Sequence, residues 1–336
     1  MNVSVVSLSL GLSVALVSPA LGQFGYALVG QFNLPAGTAA WDVGADGRAW
    51  ALAGSTVYAQ SSPGGGAFSA VGSVAPGTVA DWGGTFIRVN DAGSMVAIGD
   101  NNFGASARVH FVSPAALASA GPGGASTLSV LSGNFDGNWN GNQFYVTGAA
   151  SDFVPFVNRI SFADATGSPV ATRIITSVGG ASGGVAFSGG RIFVGAGLGG
   201  RGTATGEVRS FDLLGVNDAG PPVAFNTGAA ILGGPALSAW PLAFDDAGRL
   251  LVGGGDAFGG TSDIGYVAVI DLATGVRQLL SPAGTDTTYG VDFNAALNQI
   301  YVSEGGVVYA YAVPVPGSAA ALTLSGLLIA RRRRRG

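Results

Sequence analysis

Asp246-Ala247-Gly248-Arg249-Leu250-Leu251-Val252-Gly253 is a tight turn followed by one short apolar run. The phrase returns as Asp46-Gly47-Arg48-Ala49-Trp50-Ala51-Leu52 and as Asp91-Ala92-Gly93-Ser94-Met95-Val96-Ala97-Ile98. Later copies are Gly141-Asn142-Gln143-Phe144-Tyr145-Val146, Gly189-Gly190-Arg191-Ile192-Phe193-Val194 and Leu297-Asn298-Gln299-Ile300-Tyr301-Val302. With Gly47, Gly93, Asn142, Gly190, Gly248 and Asn298 as anchors, the spacings are 46, 49, 48, 58 and 50 residues. Repeats of that length build sheets in a ring; helical repeats would show apolar residues at three- and four-residue spacing, which the body lacks.

Each anchor has company at similar offsets. Ahead of it comes an aromatic-bearing stretch: Ala40-Trp41-Asp42-Val43, Ala80-Asp81-Trp82, Phe135, Val185-Ala186-Phe187, Leu242-Ala243-Phe244 and Val291-Asp292-Phe293. Behind it, across a glycine-rich loop, comes an alternating strand such as Val157-Asn158-Arg159-Ile160-Ser161-Phe162 or Val208-Arg209-Ser210-Phe211-Asp212. A fourth strand follows in several copies, as in Val170-Ala171-Thr172-Arg173-Ile174-Ile175. Four strands per unit predict an all-β fold, a β-propeller of six blades, with five or seven blades or a pair of β-sandwiches as alternatives. The last unit stops after Val307 to Val313, one strand short, while an unassigned strand, Tyr26 to Phe32, precedes the first unit. Pairing those two ends would complete blade six and remove a free sheet edge.

Composition narrows the function classes. The 336 residues include 58 Gly, no Cys and only 10% charged residues, with 48% hydrophobic, so a large core is available. All fifteen cationic residues are Arg, and Arg331 to Arg335 sit at the C-terminus; without them ten Arg face nineteen Asp and Glu. An acidic body is a poor partner for nucleic acid, whose phosphates need a basic face. Absence of Cys removes disulfides and thiolate chemistry, and absence of Lys removes the P-loop lysine and Schiff bases. A single His leaves ordinary zinc catalysis without its usual ligands.

Both ends are addresses. Residues 1–22 form an apolar stretch closing in Ser18-Pro19-Ala20-Leu21-Gly22, a pattern that predicts a secretory signal peptide cleaved before Gln23. A buried strand or an uncleaved anchor is the alternative. The propeller domain then occupies 23–313. Residues 314–336 carry Pro314 and Pro316, an apolar segment from Ser318 to Ala330, and Arg331, Arg332, Arg333, Arg334 and Arg335. This tail resembles the PEP-CTERM class of bacterial sorting signals, although Val315 stands where that family usually has Glu. The resemblance covers about the last 24 residues. It implies export to the cell surface or beyond, transient membrane anchoring through the C-terminal segment, and processing by an exosortase-type protease. As a helix the apolar segment is short for a bilayer core of about 30 Å. Snorkelling Arg side chains extend its reach, and the positive-inside rule keeps them cytoplasmic.

Few residues suggest chemistry. Asp136, Asn138 and Asn140, followed by Gly141, fit the opening of a calcium loop, but Thr147 stands where a bidentate Glu belongs, so an Asn-rich turn competes with weak calcium binding. Gly180-Ala181-Ser182-Gly183-Gly184 has the spacing of a hydrolase elbow without the helix that must follow it, and His110 lies in an alternating strand. The loops Gly195–Gly206 and Gly253–Gly265 carry Arg201, Asp256 and Asp263. No Asp pair stands out for acid–base work; Asp81 with Asp91, or Asp245 with Asp246, serve equally well as turn formers. These residues predict a secreted or surface-displayed propeller that binds glycan or protein, or is purely structural, without a catalytic site. The alternative is a carbohydrate-active lyase or hydrolase using Asp carboxylates in the channel.

Overall fold

The computed structural model describes residues 24–74, 84–100, 107–119, 126–130, 134–149, 155–162, 168–175, 182–196, 207–214, 229–232, 239–255, 265–280 and 290–314. After β1 (Ala27–Asn33), the first blade is β2 (Thr38–Val43), β3 (Ala49–Ala53), β4 (Thr56–Ser62) and β5 (Gly65–Ser73). The second is β6 (Gly84–Val89), β7 (Val96–Asp100), β8 (Ala107–Val112) and β9 (Ser126–Val130), with a short helix, α1 (Pro114–Ser119), before its last strand. The third is β10 (Asn134–Asn140), β11 (Gln143–Ala149), β12 (Pro155–Phe162) and β13 (Pro169–Ile175). The fourth is β14 (Ser182–Ser188), β15 (Arg191–Ala196), β16 (Val208–Asp212) and β17 (Ala229–Leu232). The fifth is β18 (Leu242–Phe244), β19 (Leu250–Gly255), β20 (Gly265–Ile270) and β21 (Arg277–Leu279). The sixth combines β22 (Val291–Asn294), β23 (Gln299–Glu304) and β24 (Val307–Ala312) with β1 from the other end of the chain.

The first strands β2, β6, β10, β14, β18 and β22 touch one another in that order, and β22 returns to β2. The fold is therefore a six-bladed β-propeller. Its ring closes as the unfinished ends predict: β1 pairs antiparallel with β24 from Ala27↔Ala312 to Asn33↔Val307, with a bulge at Val29. On the inside of the same join, β22 packs against β2.

Hydrophobic burial explains the repeated phrase. In a strand, neighbouring side chains point to opposite faces, so a strand buried on both faces has a continuous apolar run. Leu250 packs toward the fourth blade with Phe193 and Val208, whereas Leu251 packs toward the sixth with Ile300 and Val302. Ile192 and Phe193 split in the same way, as do Phe144 and Tyr145. Each of the six joins between blades holds one such apolar cluster, and the sixth, between Val43, Ala49, Tyr301 and Val308, closes the ring.

The turns before these runs need one residue in the left-handed region, which is costly for a residue with a Cβ. Gly47, Gly93, Gly190 and Gly248 supply it, and Asn298 (φ 50°) is the sole non-glycine to do so among the described residues. In the third blade the residue is Gly141 (φ 61°), the first of the two residues that turn between Asn140 and Gln143, rather than the anchor Asn142. A second difference concerns the second blade. Its innermost strand is β6, Gly84–Val89, and not Ala80 to Trp82, which lie outside the described residues.

Candidate functional site

The innermost strands bring charged side chains together at the hub. Arg88 on β6 is the centre. Its Nη2 donates to Asp136 Oδ1 on β10 at 2.7 Å, and its Nε donates to the Gly137 carbonyl at 2.9 Å. Its Nη1 donates to the carbonyls of Trp41 (3.2 Å) and Ile87 (3.0 Å) and lies 3.6 Å from Asp42 Oδ1 on β2. One planar guanidinium thus ties the first, second and third blades, a task its fixed fork of donors suits better than a single ammonium would.

The carboxylates extend the network around the ring. Asp42 Oδ2 accepts the Val89 N–H of the next blade at 2.7 Å, and Asp292 Oδ2, on β22, accepts the Val43 N–H at 2.8 Å. Asp292 Oδ1 accepts its neighbour Phe293 N–H at 2.8 Å, and the Asp292 charge is felt by the Asp42 carboxyl of the next blade. Neutral side chains continue the pattern. Asn138 Nδ2 donates to the Val185 carbonyl of the fourth blade at 3.2 Å, and Asn294 Nδ2 donates to the Gly44 carbonyl of the first at 2.8 Å. Thr147 donates its hydroxyl to the Gly183 carbonyl. Inner-strand polar side chains therefore link the sixth, first, second, third and fourth blades in sequence.

Electrostatics at the hub follow from burial. Three carboxyl groups share one guanidinium, and desolvation disfavours the charged form of each. Burial, then the neighbouring Asp292 charge, pushes the Asp42 carboxyl well above the usual carboxylate range despite Arg88. Burial raises Asp292 as well, against the pull of Arg88. Asp136 is pushed up to about 6 by burial, with Arg88 and the Gly137 N–H opposing. Burial alone would lower Arg88, but the charges of Asp136, Asp42 and Asp292 outweigh it and raise the guanidinium.

A second charged group clamps the chain end. Asp245 Oδ2 accepts from Tyr26 Oη and from Arg249 Nε, both at 2.7 Å, and its Oδ1 accepts the N–H groups of Ala247 and Arg249. The Arg249 guanidinium lies 4.7 Å from the Tyr26 ring centre and 5.2 Å from that of Phe24. The turn that opens Asp246 to Gly253 is thus organised by the residue before it, Asp245, and holds the approach to β1.

The sequence-predicted residues fall as follows. Asn134–Asn140 is the extended strand β10 and not a loop, because the inner position of the blade requires a paired strand. Asp136 Oδ1 faces Arg88, and Asn138 Oδ1 accepts the Trp139 N–H at 2.8 Å, so these oxygens serve the hub instead of turning inward around a cation. Asn140 pairs with Gln143. Among the described residues no group of three or more His, Cys, Asp or Glu is disposed to hold a metal ion. Ser182 opens strand β14, where the hydrolase elbow would need a helix, and His110 is buried in β8. Pro314 closes the described part of the chain, while Pro316, Arg331 to Arg335, Arg201, Asp256, Asp263 and the signal segment lie outside the described residues. No described helix is long and apolar enough to cross a membrane.

Arg88 was not singled out by the sequence, nor were Asp42 and Asp292 beyond their place in the aromatic-bearing stretches. One signal was present. Asp42, Arg88 and Asp136 each stand five residues before the left-handed turn glycine of their blade, Gly47, Gly93 and Gly141. Charges of alternating sign at one repeat position mark a position where blades face one another.

Such a hub inside a six-bladed propeller defines the class of protein by fold. A gluconolactonase from Xanthomonas campestris is similar in structure, with a TM-score of 0.55 and 16% identity over 88% of this chain and 92% of that one. The PQQ-bound aldose sugar dehydrogenase of Streptomyces coelicolor gives a TM-score of 0.57 and 12% identity over 88% and 99%. A chain of a mitotic checkpoint complex gives 0.52 and 10% over 94% and 100%. Neither a protein-family model nor a curated protein matches the sequence. Three neighbours with such different roles share the architecture alone.

Proposed function

We propose that the chain is an exported, non-enzymatic β-propeller that binds a glycan or another protein through one of its faces. The observation that carries this reading is how the hub uses its acids. Both oxygens of Asp292 and one each of Asp42 and Asp136 accept backbone N–H groups, and Arg88 faces Asp136 Oδ1 at 2.7 Å and Asp42 Oδ1 at 3.6 Å. The unpartnered Asp136 Oδ2 is shut away from solvent. A carboxylate held in this way joins blades; a catalytic acid or nucleophile must instead present an oxygen to a substrate. Aromatic packing adds to the closure, since Phe135 of the third blade meets the Trp240 ring that leads into the fifth at 5.4 Å.

Export rests on the two ends of the sequence. In this reading the first 22 residues direct secretion, and the PEP-CTERM-like tail holds the chain at the membrane until an exosortase-type protease acts on it. Sequencing the N-terminus of secreted protein tests the first step: a start at Gln23 supports it, and a start at Met1 overturns it.

The second reading, a carbohydrate-active enzyme, is favoured by Asp42 and Asp292, two carboxyls of adjacent blades that burial pushes above the usual carboxylate range, because glycoside chemistry uses a carboxyl acid with a raised pKa. A gluconolactonase and a sugar dehydrogenase among the similar structures point the same way. Glycan-array binding and polysaccharide depolymerisation, both measured on residues 23–313, separate the readings. Binding without turnover is expected; turnover abolished by Asp42→Asn establishes the enzyme, and neither binding nor turnover leaves a structural component of the envelope.

A further inference from the structure

Both ends of the described chain leave the ring at one place. A Cβ on Gly25 would lie 3.4 Å from Pro314 Cγ, so the two ends stand against each other. Phe24 donates its N–H to Gln278 Oε1 at 2.6 Å, and Val313 donates its N–H to the carbonyl of the turn residue Asn298 at 3.0 Å. Strand register fixes which face this is. Ala27 and Gln299 both pair with Ala312, so the ends emerge beside the turn between β22 and β23. That turn is the sixth copy of the repeated phrase. Each copy follows the innermost strand of its blade, so all six lie on one face of the ring. The same face carries apolar surface. The large hydrophobic side chains exposed among the described residues are Leu28, Val29, Val170, Leu214, Leu272 and Leu279. Each lies within two residues of a strand end on that face. Leu214, 93% exposed, follows Leu213, whose N–H reaches the carbonyl of the turn residue Gly190 at 3.0 Å. The described turns of the opposite face, residues 35–37, 54–55 and 305–306, carry no such side chain. Single exposed apolar residues are ordinary; their gathering on the face of the chain ends is not.

We propose that this face docks on a lipid bilayer, with Leu214 and Leu272 against the headgroup boundary, and that the opposite face is the one left for a ligand. The inference rests on the proposed export reading for the bilayer itself, the one that takes up the C-terminal apolar segment. Chain length brings the two together. Three residues, Val315 to Gly317, separate Pro314 from the apolar segment that begins at Ser318. Fully extended chain covers about 3.5 Å per residue, so the segment starts within roughly 14 Å of Pro314. A propeller tethered that closely presents the face of its ends to the bilayer, and the apolar side chains on that face lose water on contact. Charge selects the lipid. The exposed Asp46, Asp91 and Asp246 lie in the turns of the same face and are repelled by anionic headgroups. A zwitterionic surface is therefore the partner.

The absence of cysteine from the sequence supplies a direct test. Ala273→Cys, beside Leu272, and Ala36→Cys, on the opposite face, each give the full-length chain one exposed thiol for a fluorophore. The labelled chains are reconstituted into phosphatidylcholine vesicles whose headgroups carry a nitroxide quencher. Strands of about six residues at about 3.3 Å each set the two faces about 20 Å apart. Quenching is expected at position 273 and not at position 36. With Leu214→Ser and Leu272→Ser added, quenching at 273 is expected to fall to the level at 36 while the chain stays with the vesicles. Equal quenching at the two positions of a vesicle-bound chain overturns the proposal and leaves the anchoring reading in place. Unchanged quenching in the serine variant overturns it too, because the tether alone then holds the face. A chain that does not sediment with the vesicles overturns the anchoring reading and the proposal together. A doubled mass without lipid, lost in the serine variant, assigns the face to a second copy of the chain and overturns docking on lipid.

Discussion

Arg88 Nη2 and Asp136 Oδ1 meet at 2.7 Å across the join of the second and third blades, with only 16% and 2% of their side chains exposed. Removing one partner of a buried ion pair leaves the other charge uncompensated, at a cost of about 3–5 kcal/mol. Arg88→Met is therefore expected to lower the unfolding free energy measured in urea by an amount in that range. Arg88→Lys should recover little of it, because an ammonium cannot reach the Gly137, Trp41 and Ile87 carbonyls together with Asp136. If Arg88→Lys is as stable as the parent chain, the fork of donors is not what ties the blades.

Asp136 makes the stability of the ring depend on pH. Its carboxyl is held at about 6 in the folded chain against an ordinary value of 3.8. Between those values the folded state binds a proton that the unfolded state has released, so stability falls as pH rises through the interval. The stabilisation is complete below about 3.8 and lost once pH passes about 6, an interval corresponding to roughly 3 kcal/mol. Melting temperature is expected to rise from pH 7 to pH 5, and Asp136→Asn is expected to flatten that slope. A parent chain that is most stable above pH 7 contradicts the assignment.

The parts of this architecture that were legible in the sequence are those set by hydrophobic period and turn chemistry. Gly248 and Leu250 to Val252 disclose a left-handed turn and a strand buried on both faces, and the missing strand after Val313 discloses the closure with Tyr26 to Phe32. The hub was not legible, because its residues lie far apart in sequence and their polarity contradicts the pattern used to find strands. Asn134 to Asn140 is polar at four of seven positions and has a glycine at a fifth, so it resembles a loop; its neighbours across the joins, not its own propensity, make it a strand. Arg88 failed to stand out for the same reason, since a lone Arg beside a turn is ordinarily solvated.

Tyr26 tests the clamp at the chain end. Its hydroxyl donates to Asp245 Oδ2 at 2.7 Å, and both residues are buried. Tyr26→Phe keeps the ring against Arg249 and Phe24 but removes the hydrogen bond to a charged group, a loss of about 1.5–3 kcal/mol. Limited proteolysis should then cut the chain before β1 faster than in the parent. An unchanged digestion rate together with an unchanged melt would show that the Asp245 turn does not hold the N-terminal segment.

The join of the fourth and fifth blades is built on different terms and responds to a different change. A Cβ on Gly184 would collide with the Trp240 carbonyl and come within 2.8 Å of the Leu242 nitrogen, and one on Gly195 would collide with the Ala239 carbonyl. Two backbones thus approach so closely that no methyl group fits, and the obstacle is rigid main chain. Overpacking of this kind costs about 1–3 kcal/mol, and more where the neighbour cannot move. Gly184→Ala is expected at or above the top of that range. Gly93→Ala provides the contrast: nothing lies within 4 Å of its added methyl, and only its φ of +64° opposes the change. That conformational penalty is about 1–2 kcal/mol. Urea unfolding of the two variants should therefore place Gly184→Ala clearly below Gly93→Ala. The reverse order would mean that the fourth and fifth blades separate enough in solution to admit a side chain between them.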